Sequence, residues 1–197
     1  HDANNPCIQA ISAAADRAVT LIRQLLAFSR QQVLKPTLFD PAKLVHGNAD
    51  LLVRSLGESV TIDIDAPTDT RSVHADRNEL QNALLNLSLN ARDAVPGGGR
   101  LSISVRNSSV EDARRRNTDT TSGEYAAISV RDNGMGMDEG TRAQAIDPFF
   151  TTKPPSTGSG LGLSMVHGFA RQSDGHIQID SSLGKRTEIT LYIPRAI

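Results

Sequence analysis

The sequence has no tryptophan, one cysteine and only 4% aromatic residues. Its core must therefore be built from Leu, Ile, Val and Ala. The lone Cys7 excludes an internal disulfide framework and any multi-cysteine metal centre. Five histidines (His1, His46, His74, His167, His176) are scattered, with no His-x-x-x-His pair. A structural zinc is not expected. No apolar run approaches the ~20 residues that cross a bilayer. No membrane contact within this chain is expected. Charge is balanced as well, with 21 basic against 22 acidic residues and a net −1. Such balance argues against a strongly basic nucleic-acid binder. The start, His1-Asp2-Ala3-Asn4-Asn5, has neither the basic beginning nor the apolar middle of a signal peptide. It lacks Met, which reads as a start inside a longer protein or a trimmed end.

What is present is a globular composition, 38% hydrophobic and 22% charged over 197 residues. At ~150 residues per domain this is one domain, or one with an appendage. Residues 8–34 hold no Gly or Pro, and Ile11, Ala14, Ala18, Leu21, Leu25 and Phe28 form a heptad seam. That seam predicts a helix needing a partner, from this chain or another. Lys35-Pro36 stops it. A short strand at 37–39 follows, then a helix opened by Asp40-Pro41 and running to about Ser55. Strands are expected at 60–65 and 71–74. Asp76-Arg77-Asn78-Glu79 has capping-box spacing and opens a helix to about Val95. Strands at 100–106 and 124–132 flank a polar loop, 107–123. A short helix at 139–146, a helix at 161–172 and a final hairpin of strands, 176–180 and 187–193, complete the chain. Hairpins outnumber crossovers. The fold class expected is α+β, a mixed sheet with helices on one face, preceded by a helical segment. The division expected is 1–36 and 37–197.

Three motifs could carry chemistry. Asn86 and Asn90 are i,i+4, so their amides share a helical face amid Leu84, Leu85, Leu87 and Leu89. Their carbonyl oxygens suit Mg²⁺ or its water shell, and their NH₂ groups suit phosphate; alternatively they bond the helix backbone or a nearby loop. Asp132-Asn133-Gly134-Met135-Gly136 follows a strand. Its carboxylate can accept from an exocyclic amine, and its glycines permit close backbone approach; it could equally be a plain turn. Gly158-Ser159-Gly160-Leu161-Gly162 leads into a helix start, a phosphate-friendly place. Lys153 lies in the preceding stretch. It is not a Walker A loop, because no Gly-Lys-Ser/Thr closes it.

Their order within one α/β domain resembles the bacterial sensor histidine kinases, most closely the hybrid-type subgroup. Asn86 to Ala94 is similar to the N box and Asp132 to Met137 to the G1 box. Asp147-Pro148-Phe149-Phe150-Thr151-Thr152-Lys153 resembles the F box, and Gly158 to Gly162 the G2 box. Thr187, with Leu191 to Pro194, resembles the closing strand. The resemblance implies a Bergerat-type (GHKL) ATP site. Asp132 would bind the adenine amine, with Gly134, Gly136 and Thr187 around the nucleotide. Asn86 and Asn90 would hold Mg²⁺ and phosphates, with Asp93 on the same helix. Phe150, Lys153, Gly158, Gly160, Leu161, Gly162 and Leu163 would belong to the lid and its flanks. His1-Asp2-Ala3-Asn4-Asn5 resembles the phosphoacceptor box, with His1 as nucleophile, Asp2 as proton acceptor and Asn5 as a residue that positions water. The implied function is ATP-dependent autophosphorylation on histidine, then transfer to an aspartate of a response-regulator receiver domain. A homodimer through the N-terminal helices and a cytoplasmic location are also implied. The competing readings are an ATP-binding pseudokinase module and another ATPase of the superfamily, which would use a Glu on the Asn86 helix. Arg186 stands where the family has its second Gly, and either alters the hairpin or adds a phosphate contact.

Overall fold

The computed structural model describes residues 34–109, 124–154 and 158–196. The helix expected at 8–34 (apart from Leu34, which is not helical), the His1 box and most of the 107–123 loop lie outside them. Strand β1 (Thr37–Phe39) is followed by helix α1 (Pro41–Gly47), whose N-cap Asp40 accepts from the Ala42 N–H at 2.9 Å. The single helix expected to Ser55 is two. Asn48 turns its side chain back to the Leu44 carbonyl at 2.7 Å, and helix α2 (Ala49–Leu56) starts afresh beyond it. Strands β2 (Val60–Asp65) and β3 (Val73–Ala75) precede helix α3 (Arg77–Asp93). Asp76 caps α3 through the N–H groups of Asn78 and Glu79.

Strand β4 (Gly99–Ser109) outruns its expected end at 106, because Ser108 and Ser109 pair with Tyr125 and Glu124 of strand β5 (Glu124–Asp132). Helix α4 (Glu139–Gln144), helix α5 (Gly162–Gln172), and strands β6 (His176–Ser182) and β7 (Arg186–Pro194) finish the fold. The five-stranded sheet runs β2-β4-β5-β7-β6. Its β2–β4 pair is parallel and the rest antiparallel, so the sheet is mixed, as expected. β1 and β3 form a separate antiparallel pair.

Side chains alternate across each strand. Leu101, Ile103, Val105, Ile128, Val130, Ile189, Leu191 and Ile193 are buried on one face. Helix α3 lies over β4 and β5, and α5 over β6 and β7. On α3, Leu80, Ala83, Leu84, Leu87 and Ala91 recur at 3–4 residue spacing and are buried. Each large aliphatic buried this way contributes ~1.5–3 kcal/mol. Asn86, Asn90 and Asp93 follow one another at the same helical spacing on the adjoining stripe. Packing α3 against the sheet thus fixes a polar stripe at the sheet's end. Among the described residues no helix is long and apolar enough to cross a membrane.

Candidate nucleotide site

One end of the candidate site is a row across four strands. Register places Leu101 opposite Asp132, Asp132 opposite Thr187, and Thr187 opposite Ser181. All four are buried. An acid therefore stands where the apolar pattern of β5 would continue. Its Oδ1 accepts from the Gly134 N–H at 2.8 Å. Burial pushes the Asp132 carboxyl above its ordinary value, opposed by backbone N–H groups of Gly134, Thr187 and its own.

The loop after Asp132 is held by backbone bonds. Met135 N–H donates to the Ala94 carbonyl at 3.0 Å, and Gly184 N–H to the Met135 carbonyl at 2.6 Å. A Cβ on Gly134 would collide with the Ala94 carbonyl. Gly136 has φ +64, and a Cβ there would strike the Ser182 carbonyl. Both glycines are thus required by close approach to carbonyls of the chain itself. Asn133 anchors the loop from the other side, accepting from the Arg100 N–H at 2.9 Å.

The other end is built on α3. Lys153 Nζ donates to Asn90 Oδ1 at 3.1 Å and to Asp93 Oδ2 at 2.7 Å. Burial alone would raise the Asp93 carboxyl, but hydrogen bonds from Lys153 and Arg92 outweigh it and hold the group below its ordinary value. Gly162, the first residue of α5, faces the same stripe: a Cβ there would lie 3.7 Å from Asn90 Nδ2 and 3.9 Å from Asn86 Oδ1. No side chain caps α5, so its first N–H groups have no side-chain acceptor. Phe149 (φ 68) donates its N–H to the Gly160 carbonyl at 2.9 Å, and Gly160 (φ 67) has no room for a Cβ against Phe149. Gly158 likewise abuts Thr151 and Lys153. Phe150 is half-buried. Leu161 is buried, and Leu163 packs on the core, so these two serve as anchors for the segment through their side chains.

Among the described residues no cluster of three or more His, Cys, Asp or Glu could cage a metal. Asn86 Oδ1 and Asn90 Oδ1, the second of which accepts from Lys153 Nζ, could supply Mg²⁺ with only a partial ligand set, completed by phosphate oxygens and water. Arg186 belongs to β7, its guanidinium 3.7 Å from Asp180, and its carbonyl accepts from Ser181 Oγ. It pairs with Ser182 in the β6–β7 ladder. Ser181, Asn133 and the Ala94 carbonyl were not foreseen. A hint was available for Ser181, a polar residue in phase with Ile177 and Ile179.

A family profile described as histidine kinase-, DNA gyrase B- and HSP90-like ATPase matches residues 75–197. The chain belongs to this ATPase family. The chain shares 39% identity over 197 residues, its whole length, with the sensor kinase CckA of Brucella abortus, but spans only 21% of that protein. It is 29% identical over 181 residues to sporulation kinase B of Bacillus subtilis, covering 91% of this chain and 38% of the relative. Among solved structures, full-length ShkA in complex with AMPPNP superposes with a TM-score of 0.73 at 22% identity, over 96% of this chain and 38% of that one. The histidine kinase ThkA in complex with the response regulator TrrA gives 0.71 at 22%, over 99% and 52%. The fold is that of histidine kinase catalytic domains.

Proposed function

We propose that this chain is the catalytic part of a two-component sensor histidine kinase, which phosphorylates His1 from ATP and passes the phosphoryl group to a receiver aspartate. The observation that carries the reading is the pairing of a buried carboxylate on the base side with an Asn-Asn-Lys cluster facing the uncapped start of α5. The first suits a neutral amine donor and the second an anion. Adenine would sit on Asp132, with Gly134 and Gly136 allowing the backbone alongside it. Asn86 and Asn90 would hold Mg²⁺, whose chemistry is to neutralise charge on the phosphate oxygens. Lys153 and the α5 N–H groups would bind the phosphates.

In the transfer, a ring nitrogen of His1 attacks the γ-phosphorus. The N–P bond forms, the bond from phosphorus to the β–γ bridging oxygen breaks, and ADP leaves. Asp2 accepts the imidazole proton. The contribution of the site is positioning and electrostatics, since the protein has little other covalent work to do. Asn5 would orient water for dephosphorylation. Dimerisation through the N-terminal helices would bring His1 to a catalytic domain, in the cytoplasmic part of a longer sensor.

The test is incubation with γ-labelled Mg·ATP, followed by chemical typing of protein-bound label. Acid-labile, alkali-stable label that disappears in His1→Gln supports the proposal. ATP binding without label overturns the kinase half of it and leaves a nucleotide-sensing module. Sustained phosphate release without labelled protein would instead favour a hydrolytic ATPase.

A further inference from the structure

We infer that Ser181 is a specificity-determining residue: it fixes the hydroxyl of Thr187 so that the base subsite presents only hydrogen-bond acceptors. The inference rests on the adenine-site reading above.

Ser181 Oγ has three polar neighbours. The Met137 N–H lies 2.8 Å away, the Arg186 carbonyl 3.1 Å, and Thr187 Oγ1 2.8 Å. An N–H can only donate and a carbonyl can only accept. Ser181 therefore accepts from Met137 and gives its single proton to Arg186. No proton is left for Thr187, so Thr187 must donate to Ser181. This is the one assignment that supplies a proton to all three contacts. Both residues are buried, at 8% and 7% exposure, so water does not readily rearrange their hydroxyls.

Thr187 stands opposite Asp132 on the same sheet face. With its proton committed to Ser181, it offers a ligand lone pairs only. A carboxylate alone is an ambiguous reader. It accepts from the amine of adenine, but equally from the ring N–H of hypoxanthine or guanine. A neighbour that can only accept removes the ambiguity. It takes the second proton of the adenine amine, directly or through one water, and opposes the carbonyl oxygen that replaces that amine. If Thr187 could rotate and donate, the carbonyl would be tolerated. Ser181 acts through Thr187 and is a positioning residue.

The experiment is isothermal titration of the chain with ADP and with IDP, whose base carries a carbonyl in place of the amine. The parent binds ADP more tightly. Ser181→Ala frees the Thr187 proton, and the ratio of IDP to ADP dissociation constants falls about tenfold, one hydrogen bond's worth. Ser181→Thr, which keeps the hydroxyl, restores the parent ratio. A merely structural role weakens both ligands together, and a ratio changed by less than about twofold overturns the inference. If Ser181→Ala unfolds, Thr187→Val carries the same test. ADP affinity drops while that of IDP does not, and equal losses overturn it. A folded parent that binds neither nucleotide refutes the adenine site itself, which distinguishes the two failures.

Discussion

Replacing Asp132 with Asn tests the base end of the site with almost no change in shape. The Asp132 carboxylate already receives backbone N–H groups, including that of Gly134 at 2.8 Å on Oδ1. In the variant the amide oxygen stays on those donors, because its NH₂ cannot accept from them. The NH₂ then faces the ligand amine, donor against donor. A hydrogen bond to a charged group is worth ~1.5–3 kcal/mol, and a buried unmatched donor costs ~1–3 kcal/mol. Together these weaken ADP binding by roughly 100- to 1000-fold or more. The fold responds in the opposite sense. Burial raises the Asp132 carboxyl above its ordinary 3.8, so ionising it disfavours the folded chain. That penalty is absent below the unfolded value and develops as pH rises through the raised one. Asp132→Asn is therefore as stable as the parent or more so at pH 7, and the advantage disappears in acid. Titration calorimetry with ADP and thermal unfolding between pH 4 and 7 measure both effects. A folded variant with ADP affinity within threefold of the parent would falsify the assignment of Asp132 to the base.

Three further changes probe other parts of the site and core. Gly136→Ala forces a side chain onto the Ser182 carbonyl at φ +64, and should cost at least ~2 kcal/mol in stability along with ADP binding; an unchanged melting temperature would contradict the close packing. Lys153→Ala should weaken ATP about tenfold while leaving adenosine unaffected, because a lysine at Asn90 and Asp93 serves the phosphates and not the base; equal losses would refute that placement. Ser88 is fully buried on α3, with no hydrogen-bond partner for its hydroxyl. Ser88→Ala should raise stability by about 1 kcal/mol in chemical denaturation, and a marked loss would mean that the hydroxyl is bonded.

Where a feature was local, the sequence disclosed it. Asp40 and Asp76 cap the helices that Asp-Pro and Asp-x-x-Glu announce, and β5 spans the expected 124–132. Glu79, though, completes no reciprocal box: its Oε1 accepts from Asn82 instead. The break at Asn48 and the extra length of β4 depend on partners that local pattern does not reveal. One is a side chain competing for a helix carbonyl, and the other is a neighbouring strand that recruits polar residues into its ladder. The box motifs named Asp132, Asn86, Asn90 and Lys153 because side-chain chemistry marks them. Ser181 and the Ala94 carbonyl escaped notice because their importance comes from register and from backbone. Thr187 was located by motif, whereas the direction of its hydroxyl needed the atoms around it.

The bond from Met135 to the Ala94 carbonyl joins the loop beyond Asp132 to the end of the helix that carries Asn90. With Gly134 pressed against the same carbonyl, the span from Asp132 to the Asn90 stripe is set by a single backbone junction. The N–H groups of Phe149 and Phe150 bond elsewhere, to the Gly160 and Asp147 carbonyls. On the proposed reading the site is modular: one fixed gauge serves the nucleoside, while residues outside the junction, Lys153 among them, serve the phosphate tail. Changes there would then retune how a triphosphate is held without redefining which base is chosen.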